Sequence, residues 1–285
     1  MESKLIIALF PNISKRQSKN VAIGIKEFLH KADVQVVVDD EDAELVGADP
    51  LSSVPPEDVN YVITLGGDGT ILRMLHRHPE IKAPIMGINL GSLGFLADIP
   101  IPEIYPSLTE LLNGECVVDE RMVINAETIT GERCFAVNDI VIHRAKNPSL
   151  IDLSVHVDGL YVNTFAADGL IVATPIGSTA YSLAAGGPII EPGTAGLVMT
   201  PISAHTISNR PIVVKPQKEI TIQYLSEAMP VELSNDGLPF TTLNAGEELI
   251  ITFSERKFLL VSRKSSDYFS TLRKKLGWSG KMRNS

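Results

Sequence analysis

The sequence predicts an α/β N-terminal domain on a parallel sheet, a β-rich C-terminal domain, and a C-terminal tail that returns to the first domain. Three observations carry this expectation. Over residues 1–115, short apolar runs alternate with segments of helical periodicity, the pattern of strands joined by crossover helices. From Cys116 to about Ile251, strand-like runs follow one another, several separated by turns such as Asp158-Gly159 and Asp236-Gly237. After them Phe258 to Ser262 reads as one more strand and Ser266 to Trp278 as a helix. The expected domains are therefore 1–115, 116–254 and a tail at 255–285.

In chain order, Lys4 to Phe10 reads as a buried first strand, and Val21, Ile25, Phe28 and Leu29 mark the apolar face of a helix. Val34 to Val38 is a second strand, followed by an acidic connection, Asp39 to Glu44, and Pro55-Pro56. Tyr61 to Leu65 is a third strand, leading through Gly66-Gly67-Asp68-Gly69-Thr70 into a helix that reaches about Arg77. Pro84 to Asn89 is a fourth, ending in a second glycine-rich loop, Gly91 to Asp98, before a helix that stops near Gly114. This is a Rossmann-like order, in which ligands gather at the carboxyl ends of the strands, where both glycine loops fall. The β-rich part contains the runs Met122 to Thr130, Cys134 to His143, Leu150 to Val157, Leu160 to Phe165, Gly169 to Thr174, Pro211 to Val214, Glu219 to Tyr224 and Glu248 to Phe253. In the tail, Arg273-Lys274-Lys275 reads as a solvated face, with Leu272, Leu276 and Trp278 turned inward.

Composition narrows the function classes. The 285 residues are 44% hydrophobic and 21% charged, as in an ordinary globular protein. A net charge of -9 and a pI near 5.2 argue against general binding to nucleic acid or anionic membrane, which need a basic field. Two cysteines, Cys116 and Cys134, with no Cys/His cluster suggest neither a disulfide framework nor a structural zinc site, and the expectation is buried thiols in a reducing compartment. The run Leu5 to Phe10 is too short for a signal-peptide core, and no run approaches the roughly 20 apolar residues of a membrane span. The expected location is cytoplasmic.

Three stretches carry chemistry. In Gly66 to Thr70, glycines leave room for a ligand at the main chain and a helix start offers amides to phosphate. Asp68 is unusual there, because a carboxylate repels phosphate unless it holds a metal or touches a reacting hydroxyl; the plainer alternative is an Asp acting as N-cap. Asn138-Asp139 interrupts the apolar run Phe135 to Ile142, either as an Asx turn or bulge, or as a donor and acceptor pair for a base or sugar. From Asp168 to Tyr181 a carboxylate opens an apolar strand that runs into Thr174, Ser178, Thr179 and Ala180 beside an aromatic ring. That loop suits a nucleoside and its phosphates, or is simply a capped helix start.

Together these residues resemble the NAD kinase family. Four blocks stand in the family's order: LGGDGTIL at Leu65 to Leu72, GINLGSLGFLAD at Gly87 to Asp98, VNDIVIHR at Val137 to Arg144, and DGLIVATPIGSTAYSLAAGGP at Asp168 to Pro188. ISNRPIV and NDGLPF follow. The glycine loop alone is shared with diacylglycerol-type lipid kinases; the TPxGSTAY pattern separates the two. Two departures stand out: Asn138-Asp139 where many members carry Asn-Glu, and Ala166-Ala167 where some carry a basic residue before the aspartate.

The resemblance implies a transferase that moves the γ-phosphoryl group of ATP to the 2'-hydroxyl of the adenosine ribose of NAD, giving NADP. It places catalytic Asp68 beside the attacking hydroxyl. An ordinary Asp, with a pKa of about 3.9, is a poor base for a free alcohol, so alignment is its expected main role. Gly66, Gly67, Gly69 and Thr70 would serve the phosphates. Phe95, Asn138, Asp139, Asp168, Thr174, Ser178, Thr179, Ala180 and Tyr181 would complete the nucleotide pockets. A divalent cation, magnesium or manganese, would be bound mainly through the phosphates, with no metal cage of protein residues. The resemblance also implies a homodimer or homotetramer formed through the β-rich domain. The alternatives are a lipid kinase, for which a membrane-facing surface is missing, and a catalytically silent NAD(P)-binding regulator, which the presence of Asp68 argues against.

Overall fold

The structure is a computed structural model that describes residues 4–15, 17–91, 93–206, 208–215, 219–226 and 229–278. Ser92 of the second glycine-rich loop, Ile207 of ISNRPIV and the end of the tail, 279–285, lie outside the described residues. The chain divides into two compact units, residues 1–120 with 259–285, and residues 121–258.

The first stretch contains β1 (Ile6–Pro11), α1 (Ser18–Lys31), β2 (Gln35–Val38), α2 (Ala43–Val46), β3 (Asp49–Pro50), β4 (Tyr61–Gly66), α3 (Asp68–Arg77), β5 (Ile85–Asn89), β6 (Ile99–Pro100), α4 (Ile104–Leu112) and β7 (Val117–Arg121). The second unit contains β8 (Ile124–Thr128), β9 (Arg133–Ala136), β10 (Asp139–His143), β11 (Ile151–Val157), β12 (Leu160–Ala167), β13 (Gly169–Ala173), α5 (Tyr181–Ala184), β14 (Leu197–Ile202), β15 (Ile212–Val214), β16 (Ile220–Tyr224), β17 (Val231–Asn235), β18 (Leu238–Leu243) and β19 (Glu248–Phe253). The tail supplies β20 (Phe258–Ser262) and α6 (Tyr268–Leu276).

The first unit's sheet runs β3-β2-β1-β4-β5-β20-β7. The pairs β1 to β2, β1 to β4, β4 to β5 and β5 to β20 are parallel, so the tail strand is an integral part of the sheet. The near end of β5 meets β20 at Leu260↔Ile85, and its far end meets β6 at Ile88↔Ile99. Helix α1 buries Ala22, Ile25 and Leu29 at the three- and four-residue spacing of one helix face, and these join Ile7, Leu9, Met86 and Ile88 in one core. Side chains alternate along β5, so Gly87 faces the other way; an added Cβ there would lie 2.9 Å from Ile71 Cδ1 of α3. Helix α3 therefore covers the second face. The sheet order reverses between β1 and β4, and this is the crevice where ligands of such sheets bind. A cleft of about 290 Å³ opens at the ends of β1 and β2, lined among others by Asn12, Asp39, Thr70 and Arg73.

In the tail, Arg263 donates to both carboxylate oxygens of Glu110 (2.8 and 2.6 Å) and to Glu103 (2.9 Å), which ties β20 to α4. Asp267 caps α6 by accepting from the Phe269 amide at 3.0 Å, and Gly277 ends it at φ 65°. Leu272 is buried as expected, but Trp278 is 53% exposed and does not turn inward. Both cysteines are half-buried free thiols, and burial pushes Cys134 up to about 12.

The second unit is a β-sandwich. One sheet runs β12-β11-β16-β19-β8-β9 and the other β15-β14-β13-β10-β17-β18. Ile124, Leu153, Ile222 and Ile251 from the first share a core with Ile140, Leu170, Met199 and Leu233 from the second. Strands β8 and β16 alternate buried and less buried residues, as a sheet with one covered face requires. Strands β13 and β14 are buried throughout, because Val141, Ile171, Val198 and Ile202 pack on the opposite face with Ile190 from the segment after α5. The run Cys134 to His143 is not one strand. It ends at Ala136 in the first sheet and resumes at Asp139 in the second, with Val137 and Asn138 making the crossing.

Candidate functional site

In the first unit, α3 begins directly after β4, with Gly67 as N-cap and Asp68 as the first helical residue. The Asp68 carboxylate is therefore not the cap. It reaches across to the second glycine-rich loop, where Oδ2 accepts from the Phe95 amide (2.9 Å) and Oδ1 from Leu96 (3.1 Å) and Ala97 (2.9 Å). Gly94 is required by this contact, because an added Cβ would stand 2.0 Å from Asp68 Oδ1. An ionised carboxylate offers about four lone-pair sites. Three are occupied by described residues, which fixes the group's direction, and among the described residues nothing fills the fourth, on Oδ2.

The glycines divide by cause. A Cβ at Gly66 would fall 2.0 Å from Thr70 Oγ1, so the fold requires that glycine, whereas Gly67 has nothing within 4 Å and Gly69 only Arg73 Nη1 at 3.8 Å. Gly67 has φ -141° and ψ -173°, an extended conformation open to any residue, so backbone freedom is not its reason either. Thr70 Oγ1 accepts from the Gly67 amide at 3.4 Å and from Arg73 Nη2 at 3.4 Å. Asp98, three residues after Phe95, accepts from Ser266 Oγ (3.1 Å), and burial raises its pKa, with the Asp68 charge adding to the rise.

In the second unit the crossing at Val137 and Asn138 is built around another carboxylate. Asp236 accepts from the amides of Val137 (2.9 Å), Asn138 (2.7 Å) and Asp139 (3.2 Å), while its own amide donates to the Asp139 carbonyl (2.9 Å). Asp139 is only 4% exposed, and burial, with the nearby Asp236 charge second, pushes its carboxyl up to about 7. The Oδ1 of Asn138 is buried without a hydrogen-bond partner among the described residues, an acceptor the chain itself does not use. The loop after β13 packs on this corner: the Thr174 amide donates to the Asn138 carbonyl (2.8 Å) and the Thr174 hydroxyl to the Val137 carbonyl (2.5 Å).

The structure thus brings together Asn138, Asp139, Thr174, Ser178, Thr179, Ala180 and Tyr181, but not in equal roles. Thr174 and Ser178 are fully buried with committed hydroxyls: Ser178 Oγ lies 2.6 Å from the Pro175 carbonyl and accepts from the Ile190 amide at 2.9 Å. They shape the loop instead of reaching a ligand. Thr179 bonds the Ile176 carbonyl (3.0 Å) from a half-buried position, and Tyr181 stands 43% exposed. Asp168 precedes β13 and Thr174 follows it, and Asp168 pairs with Arg144 at 2.6 Å. Asp236 was visible in the sequence only as part of a hairpin turn; its contact with residues about a hundred positions away has no local signal.

In the first unit a carboxylate is oriented beside a glycine loop at a helix start, where amides can receive phosphate, and the second unit carries a polar corner of its own. The ATP-NAD kinase N-terminal domain model matches residues 7–116 and the ATP-NAD kinase C-terminal domain model residues 137–263, and the chain belongs to the NAD kinase family. It is similar to the NAD kinase of Protochlamydia amoebophila, 52% identical over 98% of this chain and 100% of the relative, and to that of Geotalea daltonii, 39% identical over 95% and 98%. Among solved structures, yeast NADH kinase complexed with NADH superposes with a TM-score of 0.87 at 27% identity, covering 99% of this chain and 90% of the other. An NAD kinase from Archaeoglobus fulgidus in complex with ATP gives 0.75 at 25% identity, covering 96% and 99%.

Proposed function

We propose that the protein phosphorylates the 2'-hydroxyl of the adenosine ribose of NAD with ATP, releasing NADP and ADP. The observation that carries the chemistry is Asp68, held by three amides with one acceptor site left open next to glycines the fold does not need. The 2'-oxygen attacks the γ-phosphorus, the bond from that phosphorus to the β,γ-bridging oxygen breaks, and the hydroxyl proton passes toward Asp68. In a loose transition state that proton leaves late, so alignment outweighs base strength. The amides at the start of α3 receive phosphate charge, with Arg73 one turn further on. Asn138, Asp139, Thr179, Ala180 and Tyr181 bind the dinucleotide, and Phe95 lines the Asp68 loop.

Among the described residues no group of three His, Cys, Asp or Glu side chains is placed to hold a metal. A divalent cation would enter on the nucleotide's phosphates, which leaves the open acceptor site of Asp68 to the attacking hydroxyl. Bound magnesium or manganese would neutralise phosphate charge as it develops. No helix among the described residues is long and apolar enough to cross a membrane, and a cytoplasmic homodimer or homotetramer completes the proposal.

The test is NADP formation by the purified full chain from ATP, magnesium and NAD, with parallel arms containing NADH and polyphosphate. Product from NAD with ATP is the expected result; none in any arm would overturn the reading. Gly69→Ala separates ligand room from folding. An alanine inside a helix is worth about 0.5–1 kcal/mol over glycine, so the variant should be slightly more stable in thermal unfolding. It should nonetheless show a raised KM for ATP, and an unchanged KM would remove the glycine loop from the phosphate site.

A further inference from the structure

We propose that Asp236 is a positioning residue for the dinucleotide: its carboxylate, by collecting the amides of Val137, Asn138 and Asp139, holds the Asn138-Asp139 corner in the shape that binds substrate. The inference rests on the reading that this corner binds NAD.

The geometry gives the reason. Between β9 and β10 the chain leaves one sheet for the other, and the amides of residues 137–139 turn to a single acceptor, the carboxylate of a residue about a hundred positions further along the chain. Two of their distances, 2.9 and 2.7 Å, are in the short range of charge-assisted bonds, and the third, 3.2 Å from the Asp139 amide, is longer. Asp236 sits at φ 50° with Gly237 at φ 77°, the two left-handed positions of a tight hairpin between β17 and β18. An Asn-Gly pair would close that hairpin equally well, so the turn does not explain the negative charge. Its side chain points out of its own hairpin, toward the corner. The effect is to fix the backbone of Asn138 and of Asp139, whose carbonyl the Asp236 amide also holds. A second carboxylate beside buried Asp139 opposes ionisation there.

Asp236→Ala, Asp236→Asn and Asn138→Ala in the full chain decide the matter by steady-state kinetics and thermal unfolding. Losing a charge-assisted anchor from a binding corner should raise KM for NAD by about 10- to 100-fold, with kcat within about three-fold and KM for ATP unchanged. Asn at 236 keeps the turn and one acceptor oxygen, so its KM for NAD should fall between wild type and the alanine variant. A wild-type KM for NAD in Asp236→Ala, with a raised value in Asn138→Ala, overturns the inference and leaves the corner as the NAD site. Unchanged values in both remove the corner reading and the inference with it. Should Asp236→Ala not fold, Asp236→Asn decides alone: a raised KM for NAD with unchanged KM for ATP supports positioning, and a uniform loss or no change overturns it.

Discussion

Asp68→Asn is expected to lower kcat for NADP formation by about 10²- to 10⁴-fold, the range for removing a group that handles the proton of a reacting hydroxyl. The substitution keeps shape and removes charge. It also disturbs the three bonds from Phe95, Leu96 and Ala97, because one terminal atom of the side chain becomes a donor facing a donor. One mismatched amide costs about 1–3 kcal/mol, so thermal unfolding should fall by a few degrees without loss of the fold. KM for NAD and for ATP should change far less than kcat, since the residues proposed to bind each remain. Calorimetry and steady-state kinetics on one preparation separate the two effects. A variant that keeps more than about a tenth of wild-type kcat would assign Asp68 to loop anchoring alone and sink the catalytic role.

The parts legible in the sequence were those set by short-range physics. Strands β1, β4 and β5 are apolar runs bounded by glycine, proline or polar residues, and of the α1 face read as Val21, Ile25, Phe28 and Leu29, Ile25 and Leu29 are buried while Val21 and Phe28 are half-buried, with Ala22 buried instead. What stayed hidden depends on distance. Strand β14 carries Pro201, which weakens a strand reading, yet the residue pairs with Leu170 across the sheet. Strands β17 and β18 were visible only through their turn. Asp168 and Tyr181 fall in one sequence block, but the ion-pair partner of Asp168, Arg144, lies in another block and has no local signal. Asp68 offered the sharpest case: its residue type and glycine neighbours suggested a ligand-facing carboxylate, while the amides that aim it come from a loop 27 to 29 residues away.

Asp139→Asn should make the protein more stable and a poorer kinase. The folded state holds the Asp139 proton up to about 7, against an ordinary value of 3.8, because the group is buried and lies beside Asp236. Between about pH 4 and pH 7 the native state therefore binds more protons at this site than the unfolded chain, and unfolding free energy falls as pH rises through that window. Above about 7 the loss is complete. A carboxyl held that far above its ordinary value costs on the order of 2–4 kcal/mol of stability once it is ionised. Asparagine carries no charge and removes this penalty, so the variant should match wild type near pH 4 and exceed it by that amount at pH 8. Titrating groups away from this corner cancel in the difference between the two urea midpoints, which makes the comparison specific to Asp139 and its neighbour Asp236. The same change replaces a carboxylate oxygen that can accept from a ribose hydroxyl with an amide, and KM for NAD should rise at pH 8. A stability difference that is flat from pH 4 to pH 8 would place the Asp139 proton elsewhere. A rising difference without any change in KM would leave the buried charge unexplained by substrate binding.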